Sequence, residues 1–423
     1  MSKCIYEPIG KIYSAIGRRL SFIPPGYITP ILFAITTACL LLTAICSPTG
    51  PSSSILSRLQ SCFGIFLIII FMFATSHDRR AIPWYTVASG LLLQYVIAMF
   101  VLKSTVGQNI FYFLSTFIAH FLGFSETGLA FIIGLPLPAN FATSVFPAII
   151  FFCSFISIVY YFGGLQYLVG KLAWIFLVLM DTSGAESAVA CASPFVGQGE
   201  SALLVGPFVQ YMTKSELHST MVSGFATIAG SVFVFYITLV RDPSTILCCC
   251  VMSIPAGLLL SKMRYPEMEE SISKGVVNIP EREEKEVNFL HAACNGAGTG
   301  VHLVLLIAGS LLCIISLYAA ADSLVGWLFA MVDIYDWTVE GGGKQVSIEL
   351  LSSYLFMIPA LVVGISFDEA RVAGTLMATK MMENEFVAYD KLHKLTGFVS
   401  DRTLDLMAFA LCGFANFSSI GIF

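Results

Sequence analysis

The densest polar run in an otherwise apolar chain is Gly197-Gln198-Gly199-Glu200-Ser201. Gln198 brings a donor and an acceptor, Glu200 brings a carboxylate, and the two glycines let backbone approach a ligand closely. That set suits the hydrogen-bonding edge of a nucleobase; the alternative is a loop in water, where such residues cost nothing. A second acid, Glu385, follows Asn384 and sits between Met381-Met382 and Phe386-Val387-Ala388. Its carboxylate can accept two hydroxyl hydrogen bonds, as a vicinal diol would offer; the alternative is an acid paired with Lys380 at a helix end. Asn416, Ser418 and Ser419 lie in the last apolar run, either as ligand groups or as small polar residues that bridge helices. Asn416-Phe417-Ser418 has the form of a glycosylation site but falls inside an apolar run, where it cannot be modified. Gly341-Gly342-Gly343-Lys344 lacks the earlier Gly and following Ser or Thr of a phosphate-binding loop, and Ser201 lacks the strand-turn-helix setting of a hydrolase nucleophile, so no enzyme is expected.

The elements that must hold these residues follow from composition. Hydrophobic residues make up 57% of the 423 residues and charged residues 12%, against about 45–50% and about 25% in a soluble globular chain. Runs long enough to span hydrocarbon, roughly 20 residues each, fall at 27–46, 59–76, 83–102, 141–163, 216–240, 244–262, 295–320 and 400–423. The fold class expected is an all-α integral membrane protein in the lipid bilayer. Arg18, Arg19, Pro24 and Pro25 precede the first run, which suits a retained helix better than a cleaved signal. The polar stretch 262–287 reads as an aqueous loop; placed inside with the N-terminus, it shares a side with Arg79, Arg80, Lys171 and Lys214, while Lys391, Lys394 and Arg402 fall opposite. A net charge of −5, spread along the chain, implies no nucleic-acid partner. Cys248, Cys249 and Cys250 sit in an apolar segment, no cysteine pair has zinc-like spacing and the six histidines are scattered, so no resident metal is expected.

Two stretches are apolar but too irregular to face lipid. Residues 172–212 hold Asp181, Glu186, Gln198 and Glu200 with Pro194 and Pro207, and residues 365–392 hold Asp368, Glu369, Glu383 and Glu385. Non-helical backbone at membrane depth survives only when enclosed by protein, so both read as re-entrant hairpins. An internal echo follows each: Gly-Phe-Ala-Thr-Ile-Ala-Gly-Ser at 224–231, which starts 24 residues after Glu200, and Gly-Phe-Ala-Asn-Phe-Ser-Ser-Ile at 413–420, which starts 28 residues after Glu385. An odd number of spans between them inverts one unit relative to the other, a transporter architecture with its site where the halves meet. The organisation expected is a cytoplasmic segment (1–26), N-terminal spans (27–106), an interfacial helix region (107–140), a first repeat with hairpin (141–262), a polar loop (263–287) and a second repeat with hairpin (288–423).

Phe195-Val196-Gly197-Gln198, Glu200-Ser201, Met212 to Leu217 and Gly224 to Val232, then Asn384-Glu385-Phe386-Val387-Ala388-Tyr389, then Ala410 to Asn416, resemble the concentrative nucleoside transporters in the family's order. The resemblance runs from about residue 60 to the end and is close to the animal branch at Tyr160 to Gly163 and Lys214 to His218. It implies a cation-coupled symporter that moves nucleosides, with a homotrimer and the plasma membrane as the setting. By position, Gln198, Gly199 and Glu200 match residues around the base, with Val232 packed on it; Glu385, Asn416 and Ser419 match residues that hold the ribose, and Phe414 an aromatic beside it. The family's sodium site maps to the side chains of Ser193 and Thr227 and the carbonyls of Val196 and Ile228; oxygen ligands of that kind suit a hard cation. The chain departs from the pattern at Ser193 (usually Asn), Gly199 (usually Thr), Ala202 (usually Pro) and Gly206 (usually Arg), with Pro194 set to reshape the loop. It also stops at Phe423 within an apolar run where the family continues, which reads as an incomplete chain.

The function expected is therefore sodium-coupled nucleoside symport. Three alternatives stand beside it: a proton-coupled member in which Glu200 or a neighbouring acid takes the proton, a non-transporting nucleoside-binding paralogue, and a channel, for which no ring of carbonyl loops speaks.

Overall fold

A computed structural model describes residues 25–47, 54–134, 141–196, 209–269 and 286–420, apart from 210, 229, 234–235, 237–238, 241, 334 and 337–343. Among these residues the elements of regular structure are helices, joined by turns and short loops, apart from one two-residue strand pair, Tyr335–Asp336 (β1) antiparallel to Lys344–Gln345 (β2). Seven helices among the described residues are long and apolar enough to cross a membrane, or eight if the bent pair 348–382 is one span.

Three helices open the described chain: α1 (Pro25–Cys46), α2 (Ile55–Ala74) and α3 (Trp84–Lys103). Then come α4 (Thr105–Gly123), α5 (Ser125–Ile133), α6 (Phe141–Tyr161) and α7 (Gly164–Met180). Ser54 and Ser104 start α2 and α4 by accepting hydrogen bonds from Ser57 N and Gly107 N, the usual side-chain remedy for unpaired helix N–H groups. The region 105–133, read from sequence as interfacial, passes the same length and hydropathy test as the spans. Helix α7 is a further element that the span list did not contain. Asp181 ends it in the left-handed conformation, at φ 54°, so the first hairpin arm, α8 (Gly184–Val196), starts twelve residues later than position 172. Pro194, expected to reshape the loop, lies inside that helical arm.

The first broken helix begins as α9 (Lys214–Ala226), with Thr213 and Glu216 forming a reciprocal capping box. It stops at Thr227 and resumes through a 3-10 turn at Gly230–Val232. Helix α10 (Pro243–Arg264) follows and contains Lys262. The sequence placed Lys262 in the aqueous loop; it is buried because its ammonium has partners inside the protein. The longest helix, α11 (Phe289–Ala330), has 42 residues, about 63 Å at the standard rise and far more than the span 295–320. It lies along α6 through small residues: a Cβ on Gly296 would stand 2.6 Å from Cys153 O, and one on Gly300 2.8 Å from Ile150 Cα. Glycine lets the two backbones approach this closely.

The second repeat holds α12 (Ile348–Val363), also absent from the span list, which bends by 118° into α13 (Phe367–Met382). Helices α13 and α14 (Glu385–Lys394) form the second hairpin, and α15 (Asp401–Leu411) starts the second broken helix, which resumes at Phe417–Ile420. The two breaks touch: Phe414 N donates to Phe225 O over 2.9 Å. Gly413 makes this approach possible, with φ 144° and space for no Cβ, which would meet Phe225 O at 2.9 Å.

Gly413→Ala is expected to cost about 1–3 kcal/mol through backbone strain and to lower the melting point in detergent by several degrees. Tryptophan fluorescence on heating checks this; an unchanged midpoint would mean the close approach is dispensable.

Candidate functional site

The second hairpin tip is built locally. Asn384 is the N-cap of α14, its Oδ1 accepting from Val387 N at 2.9 Å, and Glu385 takes the first helical position. An acid there is favoured by the positive end of the helix dipole. Glu385 is only 1% exposed. Its Oε2 accepts from Asn416 Nδ2 at 2.5 Å and its Oε1 from the Tyr236 hydroxyl at 3.3 Å. Asn416 is fixed from its other end, since its Oδ1 accepts from Ser419 N at 2.7 Å. Glu385, Asn416 and Ser419 thus form one hydrogen-bonded chain, with the carboxyl group held between the second break and the first repeat.

The wall beside this chain is aromatic. Tyr236 stacks on Phe386, with ring centroids 5.3 Å apart and planes 13° apart, and lies 4.9 Å from Tyr389. Val232 and Phe414 belong to the same buried cluster. The structure therefore gathers Val232, Glu385, Phe414, Asn416 and Ser419. Gln198, Gly199 and Glu200 lie outside the described residues. The acid's side-chain hydrogen bonds are to Asn416 and Tyr236, and the Lys380 ammonium acts on it as a nearby opposite charge. Sequence reasoning missed Tyr236 because it stands alone in an apolar run with no polar neighbour to flag it.

The four cation-site positions sit at two helix ends. Ser193 is buried near the end of α8, and Thr227 and Ile228 are buried at the end of α9. The two ends meet, since a Cβ on Gly230 would lie 3.2 Å from Phe195 O. Last-turn carbonyls lack intrahelical partners and carry the negative end of the dipole, so two such ends with two hydroxyls fit a hard monovalent cation. The Ser193 hydroxyl donates to Val189 O at 2.8 Å and Thr227 Oγ1 to Ser223 O at 3.4 Å. A hydroxyl that donates in this way can still accept or ligate through its oxygen.

Three family models match in chain order. "Na+ dependent nucleoside transporter N-terminus" matches residues 63–135, "Nucleoside recognition" 142–242 and "Na+ dependent nucleoside transporter C-terminus" 245–423. The solved structure of CNTnw in an inward-facing substrate-bound state aligns with a TM-score of 0.77 at 31% identity, over 86% of this chain and 88% of that one. The chain belongs to the concentrative nucleoside transporter family.

An outward-facing structure of a doubly substituted CNTnw aligns at TM-score 0.78, over 87% of this chain and 89% of that one. Among curated relatives, sodium/nucleoside cotransporter 1 of Mus musculus is 36% identical over 381 residues, which is 86% of this chain and 57% of that protein. Solute carrier family 28 member 3 of Eptatretus stoutii is 35% identical over 376 residues, 85% of this chain and 54% of that protein. The chain thus spans a little over half the length of these curated relatives. It is a multi-pass membrane protein and, like its family, no enzyme.

Family membership gives meaning to a buried ion pair under the first hairpin. Lys262 Nζ lies 2.9 Å from Glu186 Oε2, 2.9 Å from Ser215 Oγ and 3.3 Å from Glu267 Oε2. It joins the third residue of α8 to the first turn of α9. The second repeat makes the equivalent link without a lysine: Glu369, third in α13, accepts from Ser400 N and Ser400 Oγ, both at 2.7 Å, and from Thr403 Oγ1 at 2.5 Å. Each hairpin arm is thereby tied through an acid to the start of the broken helix of its own repeat.

Removing one member of a buried pair strands the other charge, typically at about 3–5 kcal/mol. Lys262→Met is expected to cut the yield of folded protein sharply, and Lys262→Met with Glu186→Gln to recover much of it. Fluorescence-detected size exclusion reads both; equal loss in single and double variants would show that the pairing is not what matters.

Proposed function

We propose that this protein is a symporter that carries nucleosides into the cell with sodium as the coupling ion. The observation that carries the reading is the enclosed carboxyl group of Glu385, held by Asn416 and Tyr236 where the two broken helices touch. A carboxylate has about four lone-pair sites, more than Asn416 and Tyr236 occupy, so it can accept from ribose hydroxyls while those two residues hold its orientation. Val232, Phe386 and Phe414 supply the apolar wall for the nucleoside. Gln198 and Glu200 take the base edge in this reading, with Gly199 giving backbone access. Sodium at Ser193, Val196, Thr227 and Ile228 binds at the far end of the first hairpin arm, next in sequence to Gln198 and Glu200, and so organises them. Cation and nucleoside then raise each other's affinity by the same factor. The relatives' names and the substrate-bound CNTnw structure support the substrate class and the ion. The homotrimer, the plasma membrane as location and the interfacial placement of 107–140 belong to the same proposal.

The test is uptake of labelled uridine and adenosine in sodium and in choline, at neutral and mildly acidic pH. Sodium-dependent uptake is expected; uptake driven by acid alone would move the coupling to a carboxylate. Binding without uptake would identify a non-transporting protein. Hydrogen bonds to a charged group contribute about 1.5–3 kcal/mol; Glu385→Gln removes the charge and one acceptor oxygen, and is expected to abolish measurable uridine binding. Normal uptake by that variant at normal surface level would sink the ribose assignment. Ser193→Asn, which lengthens the reach of the side-chain oxygen, is expected to lower the sodium concentration that half-saturates uptake.

A further inference from the structure

Asn384 carries an unanswered donor beside the site. The residue is 1% exposed, and among the described residues its Nδ2 is buried without a hydrogen-bond partner. Most buried polar groups in folded proteins are paired, and each exception asks for an explanation. An exchanged amide does not remove this one. Oδ1 accepts from Val387 N, and turning the amide over would set two N–H groups against each other, so the cap fixes which atom points away. The orphan therefore belongs to Nδ2, on the residue that immediately precedes Glu385 at the same tip.

The chemistry of the pair is complementary. An ionised Glu385 only accepts, whereas the Asn384 NH2 only donates. A hydroxyl does both. We propose that Asn384 is a further substrate-contacting residue, whose Nδ2 donates to the oxygen of a sugar hydroxyl that itself donates to Glu385. One of the two vicinal hydroxyls is then bound in both directions, and the tip recognises a hydroxyl at that carbon instead of any hydrogen-bonding group. This rests on the nucleoside reading above.

The test compares uridine, 2′-deoxyuridine and 3′-deoxyuridine as competitors of labelled uridine, in the unmutated chain and in Asn384→Ser. Serine is about as good an N-cap as asparagine, so the helix start is kept while the carboxamide and its NH2 donor are lost. The variant is expected to weaken uridine by about threefold to tenfold. For one of the two deoxy analogues, unmutated chain and variant are expected to bind alike. Asn384→Asp, which keeps cap and size, is expected to show the same pattern with a larger loss and covers poor folding of the serine variant. Unchanged uridine affinity in Asn384→Ser would overturn the inference. So would an equal loss for all three ligands, which is the signature of a purely structural cap. An unmutated chain that binds no uridine would overturn the nucleoside reading itself, a result told apart from the others because it appears before any substitution.

Discussion

A carboxyl group enclosed by protein in a membrane-spanning chain is the constraint around which the rest is arranged. Taking such a group out of water is expensive unless polar partners replace the solvent. Glu385 finds them from three directions: the N-terminus of its own helix, Asn416 from the second broken helix and Tyr236 from the first. None of these is available from a continuous spanning helix. The hairpin supplies a helix N-terminus in the interior, and the breaks bring Asn416 and Tyr236 to the same level.

The breaks in turn need each other. An interrupted helix leaves carbonyl and N–H groups unpaired, which lipid cannot satisfy. Phe225 O and Phe414 N, one from each break, pair directly, and Gly413 removes the side chain that would hold them apart. The carbonyl ends that remain in the first repeat lie against the end of the first hairpin, where a cation has the most to offer. One physical problem, unpaired backbone inside a membrane protein, thus accounts for both the contact between repeats and the character of the candidate ion site.

The two repeats solve the anchoring of their hairpins with the same geometry and different chemistry. Glu369 reaches the cap of its broken helix directly, whereas Glu186 does so through Lys262. The direct version is a set of charge-assisted bonds to a helix N-terminus, which is self-sufficient. The lysine version adds a buried cation that is stable only while Glu186, Ser215 and Glu267 surround it. The first hairpin is therefore the more interdependent of the two.

Much of this was legible in the chain. Hydropathy fixes the membrane class, because lipid tolerates nothing else over such lengths, and acids in apolar segments mark the second hairpin within about two residues at either end. The echo around Gly224 and Gly413 points to the pair of breaks, since both are local runs of small and polar residues. The span list failed where the deciding interaction is remote. Helix α12, with 16 residues and Glu349 in its first turn, falls short of the roughly 20-residue apolar run that marks a span, and Lys262 looks like the start of a polar loop until Glu186 stands beside it. Tyr236 meets Glu385 across 149 residues of sequence. Composition, caps and spacing are properties of neighbours along the chain, and the sequence by itself determined those. Which side chains meet depends on how one repeat packs, inverted, against the other, and only the tertiary structure decided that.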